Sequence, residues 1–584
     1  MTRLAIEIPV HVLREYSLVA DGERGALIGP RGDVAWMCAP AWDSGSVFSS
    51  LIGGAGVYAV TPLDRFVWGG YYEPGSLIWR SRWMTEHGLV ECREALAFPA
   101  ERDRVVLLRR VDALESDAQV RVELEPRAGY GSEPLRELTN DNGIWSGRTG
   151  DLRIRWQGGS SARPSAGRSN RRLGMELTVA AGTHHDLVLE IASRPLGEDP
   201  VDADEAWEAT EASWAAAVPQ LADTLSPADC RQSYAVLRGL TSASGGMVAA
   251  ATTSLPERAG QGRNYDYRYV WIRDQCYAGQ AAAAAGDTRL LADAVRFVSD
   301  RLIEHGSRLA PAYTASGERV PDQSQLGLPG YPGGFDRVGN WVNQQFQLDA
   351  FGEALLLLSE AHRREVLDAE GFKAAEAAAS AIAQRWQEPD AGIWEIDDRP
   401  WTHSRLTAAA GLKALASVAP AGRGVSDMMA LADRIVADTS ATALHSEGHW
   451  TRSPGDDGLD GALLLPPLRG ALPADDRRTV ATLRAYQEQL VDDGYAYRFR
   501  HGPGPLGEFE GSFNLCGFVM SMALAQQGQR DEALRWWERT KASCGPPMLY
   551  SEEYDVAEHQ LRGNLPQAFV HAVMLESAAR LARA

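Results

Sequence analysis

The stretch Val342–His362, VNQQFQLDAFGEALLLLSEAH, decides how most of the chain is interpreted. Apolar residues recur in it at positions three or four apart, which is the spacing of one face of an α-helix: Val342, Phe346, Ala350, Ala354 and Leu357. The spacing predicts one long helix with a buried face.

Similar periods occur on both sides of this stretch and predict a largely helical region from residue 229 onward. The further helices are expected at Cys230–Leu240, Gln275–Ala285, Thr288–Glu304, Gly371–Gln387, Thr402–Ser417, Val425–Asp438, Arg477–Val491, Phe513–Gln526, Arg530–Ala542 and Leu565–Ala582. Eleven or twelve helices joined by loops favour a helical toroid over a four-helix bundle. The Gly- and Pro-rich segments Arg308–Asn340 and His449–Ala474 are interpreted as long loops, which are more often functional than decorative.

The first 195 residues have a different pattern, that of short alternating strands separated by turn residues. Strands are expected at Val105–Val111, Val120–Leu124, Leu152–Trp156 and Leu187–Ile191. Repeated short strands with frequent turns favour an antiparallel β-sandwich. The predicted organisation is an α+β chain with a β-sandwich domain over 1–200, a helical linker over 201–228 and a helical catalytic domain over 229–584.

The bulk composition restricts the partners. The chain has 584 residues with a net charge of −20, which disfavours nucleic acid and an anionic membrane surface and suits a neutral substrate such as a sugar. Neither a signal peptide nor an apolar run long enough to span a bilayer is recognised, so a cytoplasmic location is expected. The six cysteines are scattered, and no metal-ligand motif occurs, so neither a metal nor a cofactor is predicted. A homo-oligomer is possible.

Three motifs carry chemistry. Gly392–Glu395 (GIWE) and Ser551–Asp555 (SEEYD) each place a glutamate beside aromatic residues, and Arg263–Asp274 (RNYDYRYVWIRD) combines aromatic and charged residues as carbohydrate sites do. Hydrolysis of an acetal needs one carboxyl group that protonates the leaving oxygen and another that activates water. With 78 acidic residues in the chain, such a pair alone proves little.

The motifs together resemble glycoside hydrolase family 15, which includes glucoamylases, glucodextranases and actinobacterial-type trehalases. The resemblance covers nearly the whole chain. It is carried by Thr252–Glu257, Arg263–Asp274, Gly339-Asn340, Gln345–Glu353, Gly392–Glu395, Glu510–Phe513, Ser551–Asp555 and Gly563–Phe569. It implies that the helical domain is an (α/α)6 barrel with an active-site pocket at one end.

The resemblance also implies roles for the two glutamates. Glu395 is the expected general acid, and Glu552 is the expected general base. Glu553 follows directly, and the sequence alone does not choose between the two neighbours, although only one of them should enter the site. The family inverts the anomeric configuration, which requires the two carboxyl groups to lie roughly 6.5–9.5 Å apart.

Further residues are assigned to substrate binding. Arg273 and Asp274 match the pair that hydrogen-bonds the terminal glucose, and the alternative is a structural ion pair at a helix start. Trp271, Tyr267 and Trp394 are expected to border the sugar, because carbohydrate C–H faces pack on aromatic rings. Gln347 and Asp349 are included as well, with a structural network as an equal alternative. Glu353 is interpreted as structural.

The predicted function is that of an inverting, exo-acting α-glucoside hydrolase, which releases glucose from malto- or isomalto-oligosaccharides. Trehalose is the alternative substrate, and the residues do not separate the two. A non-catalytic sugar-binding or regulatory barrel is a third possibility. A phosphorylase, lyase or epimerase on the same toroid is a fourth, which the presence of Glu552 disfavours.

Overall fold

A computed structural model describes residues 9–165, 172–260, 262–263, 265–420 and 424–583. The N-terminal part consists of strands, which we number in chain order. They are β1 Ser17–Ala20, β2 Gly25–Ile28, β3 Val34–Cys38, β4 Ser46–Phe48, β5 Val57–Pro62, β6 Phe66–Tyr72, β7 Trp79–Thr85, β8 Gly88–Leu96, β9 Arg104–Ala113, β10 Ala118–Glu125, β11 Arg136–Asp141, β12 Ile144–Thr149, β13 Leu152–Gln157, β14 Arg163–Pro164, β15 Leu173–Val179 and β16 His184–Ala192. The four strands predicted from sequence are confirmed as β9, β10, β13 and β16.

These strands form an N-terminal β-sheet domain, called the β-domain below. An eight-stranded sheet has the order β11-β12-β13-β16-β9-β8-β7-β6, and two four-stranded sheets have the orders β14-β15-β10-β5 and β1-β2-β3-β4. Each pairing between neighbouring strands is antiparallel, and one hydrophobic core joins the three sheets. In β13 the residues Leu152, Ile154 and Trp156 belong to that core, as the period of two in a strand requires.

Helices dominate the rest of the described chain. After the connecting helix α1 Ala203–Ala217 come α2 Pro227–Leu240, α3 Ile272–Ala284, α4 Arg289–His305, α5 Leu348–Arg363, α6 Ala369–Arg385, α7 Thr402–Val418, α8 Val425–Thr442, α9 Leu465–Leu468, α10 Arg477–Gln489, α11 Asn514–Gln526, α12 Arg530–Lys541 and α13 Ala568–Leu581. Short strands lie between them at β17 Val270–Trp271, β18 Ala312–Tyr313, β19 Ser324–Gln325, β20 Arg337–Val338, β21 Val491–Asp492, β22 Tyr495–Ala496, β23 Ser512–Phe513, β24 Glu553–Asp555 and β25 Gln560–Arg562.

Alternate helices form a closed inner ring. α3 contacts α5, α5 contacts α7, α7 contacts α9, α9 contacts α11, α11 contacts α13, and α13 contacts α3. The inner helices are buried almost all round, whereas outer helices such as α12 bury one face through Ala533, Trp536, Trp537 and Thr540. The ring and its outer layer are the (α/α)6 barrel, so the predicted fold class is confirmed. The domain limits at residues 200 and 228 stay a prediction.

The segment Val342–His362 departs from the predicted single helix. A 3₁₀ turn spans Trp341–Gln344, and the α-helix begins only at Leu348. Between them Gln345 and Gln347 have extended backbone angles, with φ and ψ of −94° and 151° at Gln345 and of −128° and 106° at Gln347. The apolar spacing at Val342 therefore reflects burial in a separate small cluster and not a helix face.

Part of the segment His449–Ala474, predicted as a loop, is helical. A 3₁₀ turn at Gly461–Leu464 continues into α9, which is an inner member of the ring. Pro466 and Pro467 lie in the first turn of α9, where proline is tolerated because the first N–H groups of a helix have no partner within it. A helix of this length is too short for a 3.6-residue period to reveal it.

Arg469, directly after α9, connects this short helix to its neighbours. Its guanidinium group pairs with Glu576 of α13, with Nη2 and Oε2 3.0 Å apart, and lies 3.9 Å from a carboxylate oxygen of Glu353 in α5. Burial alone would raise the pKa of Glu576, but Arg469 and Arg580 outweigh it and lower the pKa to about 2.

No helix within the described residues combines the length and the apolar character that a membrane crossing requires.

We expect Glu576→Gln to reduce the free energy of unfolding by about 3–5 kcal/mol, because it leaves the buried Arg469 cation without its closest partner. Urea unfolding at pH 7 measures the loss. The matched control is Glu488→Gln, which breaks an exposed pair with Arg484 and should leave the free energy of unfolding almost unchanged. In the native protein this stabilisation is present above the pKa of an unfolded glutamate, about 4.3, and is lost as the pH falls through about 2. Equal losses in the two variants would show that the buried Arg469–Glu576 pair contributes no more to stability than an exposed pair, and would contradict its role in connecting α9 to α13.

Candidate active site

A cavity of about 560 Å³ lies at the end of the barrel where inner helices begin. Trp271 is the N-cap residue of α3, and Arg273 and Asp274 lie in its first turn. Gln567 is the N-cap residue of α13. All four line the cavity, so the starts of inner helices supply part of its wall. The partial positive charge of a helix N-terminus favours negatively charged groups at this end of the barrel.

Glu395 projects into the cavity from a tight turn. Its backbone φ of +53° is in the left-handed region, which is uncommon for a residue with a side chain. The turn also needs Gly392, whose φ is +65°, because a Cβ there would lie 2.7 Å from the indole ring of Trp401. Turn geometry, and not a helix, therefore positions the predicted acid.

The donors around Glu395 contact one oxygen of its carboxyl group. Oε1 accepts hydrogen bonds from Trp271 Nε1 at 2.7 Å and from Gln347 Nε2 at 2.9 Å, and Arg273 Nη2 lies 3.5 Å away. Among the described residues no donor contacts Oε2. A proton on Glu395 would therefore be carried by Oε2, where it can be passed to a substrate oxygen.

Glu552 lines the same cavity, and Glu553 does not. The Glu552 side chain is 7% exposed, and both of its carboxylate oxygens lie within hydrogen-bond range of the Tyr267 hydroxyl, at 3.3 and 3.4 Å. Glu553, the first residue of β24, is fully buried and accepts a hydrogen bond from the backbone N–H of Gly511 at 2.9 Å. Because neighbouring side chains in extended backbone point in opposite directions, only Glu552 can reach a bound substrate.

Beside Glu552 lies a group of three buried carboxylates around Arg498, and Glu257 and Arg498 of this group also line the cavity. Oxygens of Glu257, Glu510 and Glu553 lie within 4.8 Å of one another, and Arg498 contacts each of these residues, Glu257 at 3.2 Å and Glu553 at 3.8 Å. Three carboxylates are also a donor set for a divalent cation, but Arg498 already neutralises part of their charge. The expectation that no metal takes part stays a prediction.

The charged residues around Arg498 change the pKa of Glu552. Burial raises the pKa of Glu552 well above that of an ordinary glutamate, the negative charge of Glu257 raises it further, and Arg498 opposes the increase. Burial also raises the pKa of Glu553, to about 8. A carboxylate with a raised pKa is a stronger base, which suits a group that must take a proton from water.

Arg273 and Asp274 form the floor of the cavity. The Arg273 guanidinium donates to Gln347 Oε1 at 2.8 Å and lies 3.7 Å from Asp274 and 3.6 Å from Asp349. Burial raises the pKa of Asp274 to about 6, while Arg273 acts in the opposite direction. The buried Arg273 cation thus lies close to the carboxylates of both Asp274 and Asp349.

Gln347 and Asp349, predicted as substrate-binding, lie behind this floor and not in the cavity wall. Gln347 bridges Arg273 and Glu395 through its amide group. Neither carboxylate oxygen of the fully buried Asp349 has a hydrogen-bond partner among the described residues. Glu353 likewise lies away from the cavity, where its carboxylate accepts from Gln280 Nε2 at 2.7 Å.

Aromatic rings form one side of the cavity. Tyr267 meets Trp271 edge-on with ring centres 5.5 Å apart, and Tyr265 stacks on Tyr267 at 6.4 Å with only 8° between the planes. Trp394 lies next to Glu395 in the wall, and its indole N–H donates to Asp460 at 2.6 Å. The predicted aromatic residues thus all border the space that a sugar would occupy.

Several lining residues were missed by sequence reasoning. Gln323, Arg337 and Asn340 come from the long segment Arg308–Asn340, whose length was the available signal. Trp341 follows directly and is 61% exposed at the cavity. Arg498 lies in a segment without a recognisable motif, and its role depends on partners distant in sequence.

The fold and the paired carboxyl groups define a glycoside hydrolase. A family model described as glycosyl hydrolases family 15 matches residues 232–579, and one described as trehalase-like, N-terminal, matches residues 7–156. The chain belongs to glycosyl hydrolases family 15, as the resemblance of its motifs predicted.

Two relatives agree with this assignment, and a solved structure shares the fold. The chain is 31% identical to a trehalase of Mycobacterium tuberculosis, over 99% of this chain and 90% of the relative. It is 31% identical to a trehalase of Mycolicibacterium smegmatis, over 99% and 92%. A solved bacterial glucoamylase in complex with acarbose superposes with a TM-score of 0.72 over 99% of this chain and 96% of that chain, at 13% identity. Such low identity supports the fold alone.

We expect the acid limb of the kcat/KM profile to lie above the pKa of an ordinary glutamate, about 4.3, because Glu552, as the predicted base, would act only when deprotonated and its pKa is raised. Glu257→Gln removes a negative charge that raises this pKa, so the limb should move to lower pH. The profile is measured across pH 3–8 with glucose release as the assay. Glu558→Gln, an exposed change in the same segment, should leave the limb in place. A limb that stays or moves upward in Glu257→Gln would contradict the assignment.

Proposed function

We propose that this protein is a trehalase, which hydrolyses α,α-trehalose to two molecules of glucose with inversion at the attacked carbon. The observation that carries the proposal is the presence of Glu395 and Glu552 in one cavity, connected through Trp271 and Tyr267. Trehalose was the alternative in the sequence prediction. Relatives named trehalase that align along 99% of this chain support it better than malto- or isomalto-oligosaccharides.

The proposed reaction needs no group beyond the two carboxyls and a water molecule. Glu395 gives its Oε2 proton to the bridging oxygen as the bond from that oxygen to the anomeric carbon breaks. Glu552 takes a proton from water on the opposite face, and the water oxygen bonds to the same carbon. Glu395 ends deprotonated and Glu552 protonated, so a proton must return to Glu395 through solvent before the next cycle.

The remaining site residues hold the sugar and the acid in place. Asp274 accepts from hydroxyl groups of the attacked glucose, and Arg273 donates to them as a rigid fork. Gln347 and Asp349 act indirectly, because their contacts are with Arg273 and, for Gln347, also with Glu395. Gln347 thereby orients the carboxyl group whose proton is transferred.

Two other functions compete with this proposal. A glucosidase acting on malto- or isomalto-oligosaccharides would use the same carboxyl groups, and its support is the structural likeness to a bacterial glucoamylase at 13% identity. A non-catalytic sugar-binding protein would not need both carboxyl groups in the cavity. A comparison of substrates distinguishes both alternatives from a trehalase.

We expect the native protein to release glucose from trehalose faster than from maltotriose, isomaltotriose or dextrin. Glu395→Gln and Glu552→Gln should each lower kcat on trehalose by ~10²–10⁴-fold, because each removes one proton transfer. Glu558→Gln is the matched control and should retain native activity. Preferential cleavage of maltotriose or isomaltotriose would replace trehalose as the substrate. Cleavage of none of these sugars would contradict the hydrolase mechanism.

The stereochemistry gives a separate prediction. Inversion converts the attacked ring to β-glucose, while the departing ring keeps its α configuration, so trehalose should give the two anomers in equal amounts at first. Proton NMR in the first minutes, before mutarotation equilibrates the anomers, measures the ratio. Formation of α-glucose alone would show retention and would exclude Glu552 as the base of an inverting mechanism.

A further inference from the structure

The segment that carries Tyr267 has two different faces. Within residues 265–269 the backbone carbonyls of Tyr267 and Tyr269 accept from the N–H groups of Ala250 at 2.9 Å and Ala249 at 2.8 Å, and Asp266 forms an isolated antiparallel bridge with Thr253. Tyr265 and Tyr267 line the cavity. Asp266 and Arg268 alternate with them, as in a strand, and are almost completely buried on the other side.

Asp266 and Arg268 form a buried ion pair on that hidden face. Arg268 Nη2 lies 2.7 Å from Asp266 Oδ2, and Arg268 Nε lies 2.9 Å from Oδ1. Asp266 Oδ2 also accepts from the backbone N–H of Gly339 at 2.9 Å, next to Asn340 in the cavity wall. The pair therefore fixes two wall segments at once.

The β-domain supplies the other acceptors of Arg268. The guanidinium group donates to the carbonyls of Ser44 at 2.9 Å and Trp42 at 3.3 Å, to the hydroxyl of Tyr130 at 3.1 Å and to the sulfur of Cys38 at 3.3 Å. All four residues precede α1 in the chain. A guanidinium group has five N–H donors in a fixed plane, so contacts on several sides determine its position and orientation.

A second contact from the β-domain holds the segment that pairs with the Tyr267 backbone. The indole N–H of Trp36, in β3, donates to the carbonyl of Ala251 at 2.9 Å. Ala251 follows Ala249 and Ala250, which pair with the segment that carries Tyr267. Both backbone segments under the aromatic wall are thus attached to the β-domain through fully buried groups.

We propose that the β-domain is a working part of the active site, in which Arg268 and Tyr130 are positioning residues that hold Tyr267 against the base Glu552. The Tyr267 hydroxyl lies 3.3 and 3.4 Å from the Glu552 oxygens, at the long end of a hydrogen bond. A small displacement of the backbone would break this contact, and misplacement by ~1 Å can cost ~10²-fold in rate. The activity readout of this inference rests on the proposed function.

A double-mutant cycle tests whether Tyr130 acts through Tyr267. Tyr130→Phe removes a hydroxyl that Arg268 contacts outside the cavity, and we expect it to lower kcat by at least ~3-fold with little change in KM. In a Tyr267→Phe background the same change should have no further effect, because the contact it positions is already absent. Tyr58→Phe, which removes another buried hydroxyl of the β-domain, is the matched control and should leave kcat unchanged. Additive losses from Tyr130→Phe and Tyr267→Phe would overturn the proposal.

Hydrogen exchange provides a readout that does not depend on catalysis. In Tyr130→Phe, and more strongly in Arg268→Gln, the amides of Ala249 and Ala250 should exchange faster, while those of the inner helix α11 keep native protection. Unchanged exchange at Ala249 and Ala250 would overturn the inference whatever the substrate proves to be. Absence of glucose release by the native protein would instead contradict the proposed function, and the exchange result would still decide the role of the β-domain.

Discussion

The structure depends on one constraint: inner helices of the barrel begin at the same end, around a common cavity. Trp271, Arg273 and Asp274 belong to the start of α3, and Gln567 belongs to the start of α13. The segments that precede inner helices therefore converge in space although they are distant in sequence. The residues that we propose for the glycosidase chemistry lie on these segments and on the turn that holds Glu395, while the helices supply the rigid frame.

Within that frame, buried arginines control the carboxyl groups. Arg273 lies close to Asp274, Asp349 and Glu395, and Arg498 contacts the group beside Glu552. The two catalytic candidates consequently have different surroundings. Glu395 has its donors on a single oxygen, whereas Glu552 is buried near other negative charges that raise its pKa. The open Oε2 of Glu395 suits proton transfer to a substrate oxygen, and the raised pKa of Glu552 suits proton uptake from water.

Much of this organisation could be predicted from the sequence, because helical and strand periods are local properties. The family and the fold class were recognisable, and Glu395, Glu552, Arg273 and Asp274 all prove to line one cavity. The errors arose where tertiary contacts override local pattern. Gln347 lies in extended backbone before α5, where it contacts Arg273 and Glu395, although the sequence predicted a helix there. The helix α9 is too short to show a period. Arg498 and Arg268 had no local signal, since their partners come from remote parts of the chain.

In the mechanism that we propose, Glu395 and Glu552 act on opposite faces of one sugar ring. A crystal structure of the protein with glucose in the cavity tests it most directly, through the separation of the two carboxyl groups and their positions relative to the anomeric carbon. We expect a separation of roughly 6.5–9.5 Å, with space for a water molecule between Glu552 and that carbon. A separation of roughly 5 Å, or a glucose molecule bound away from either carboxyl group, would contradict it.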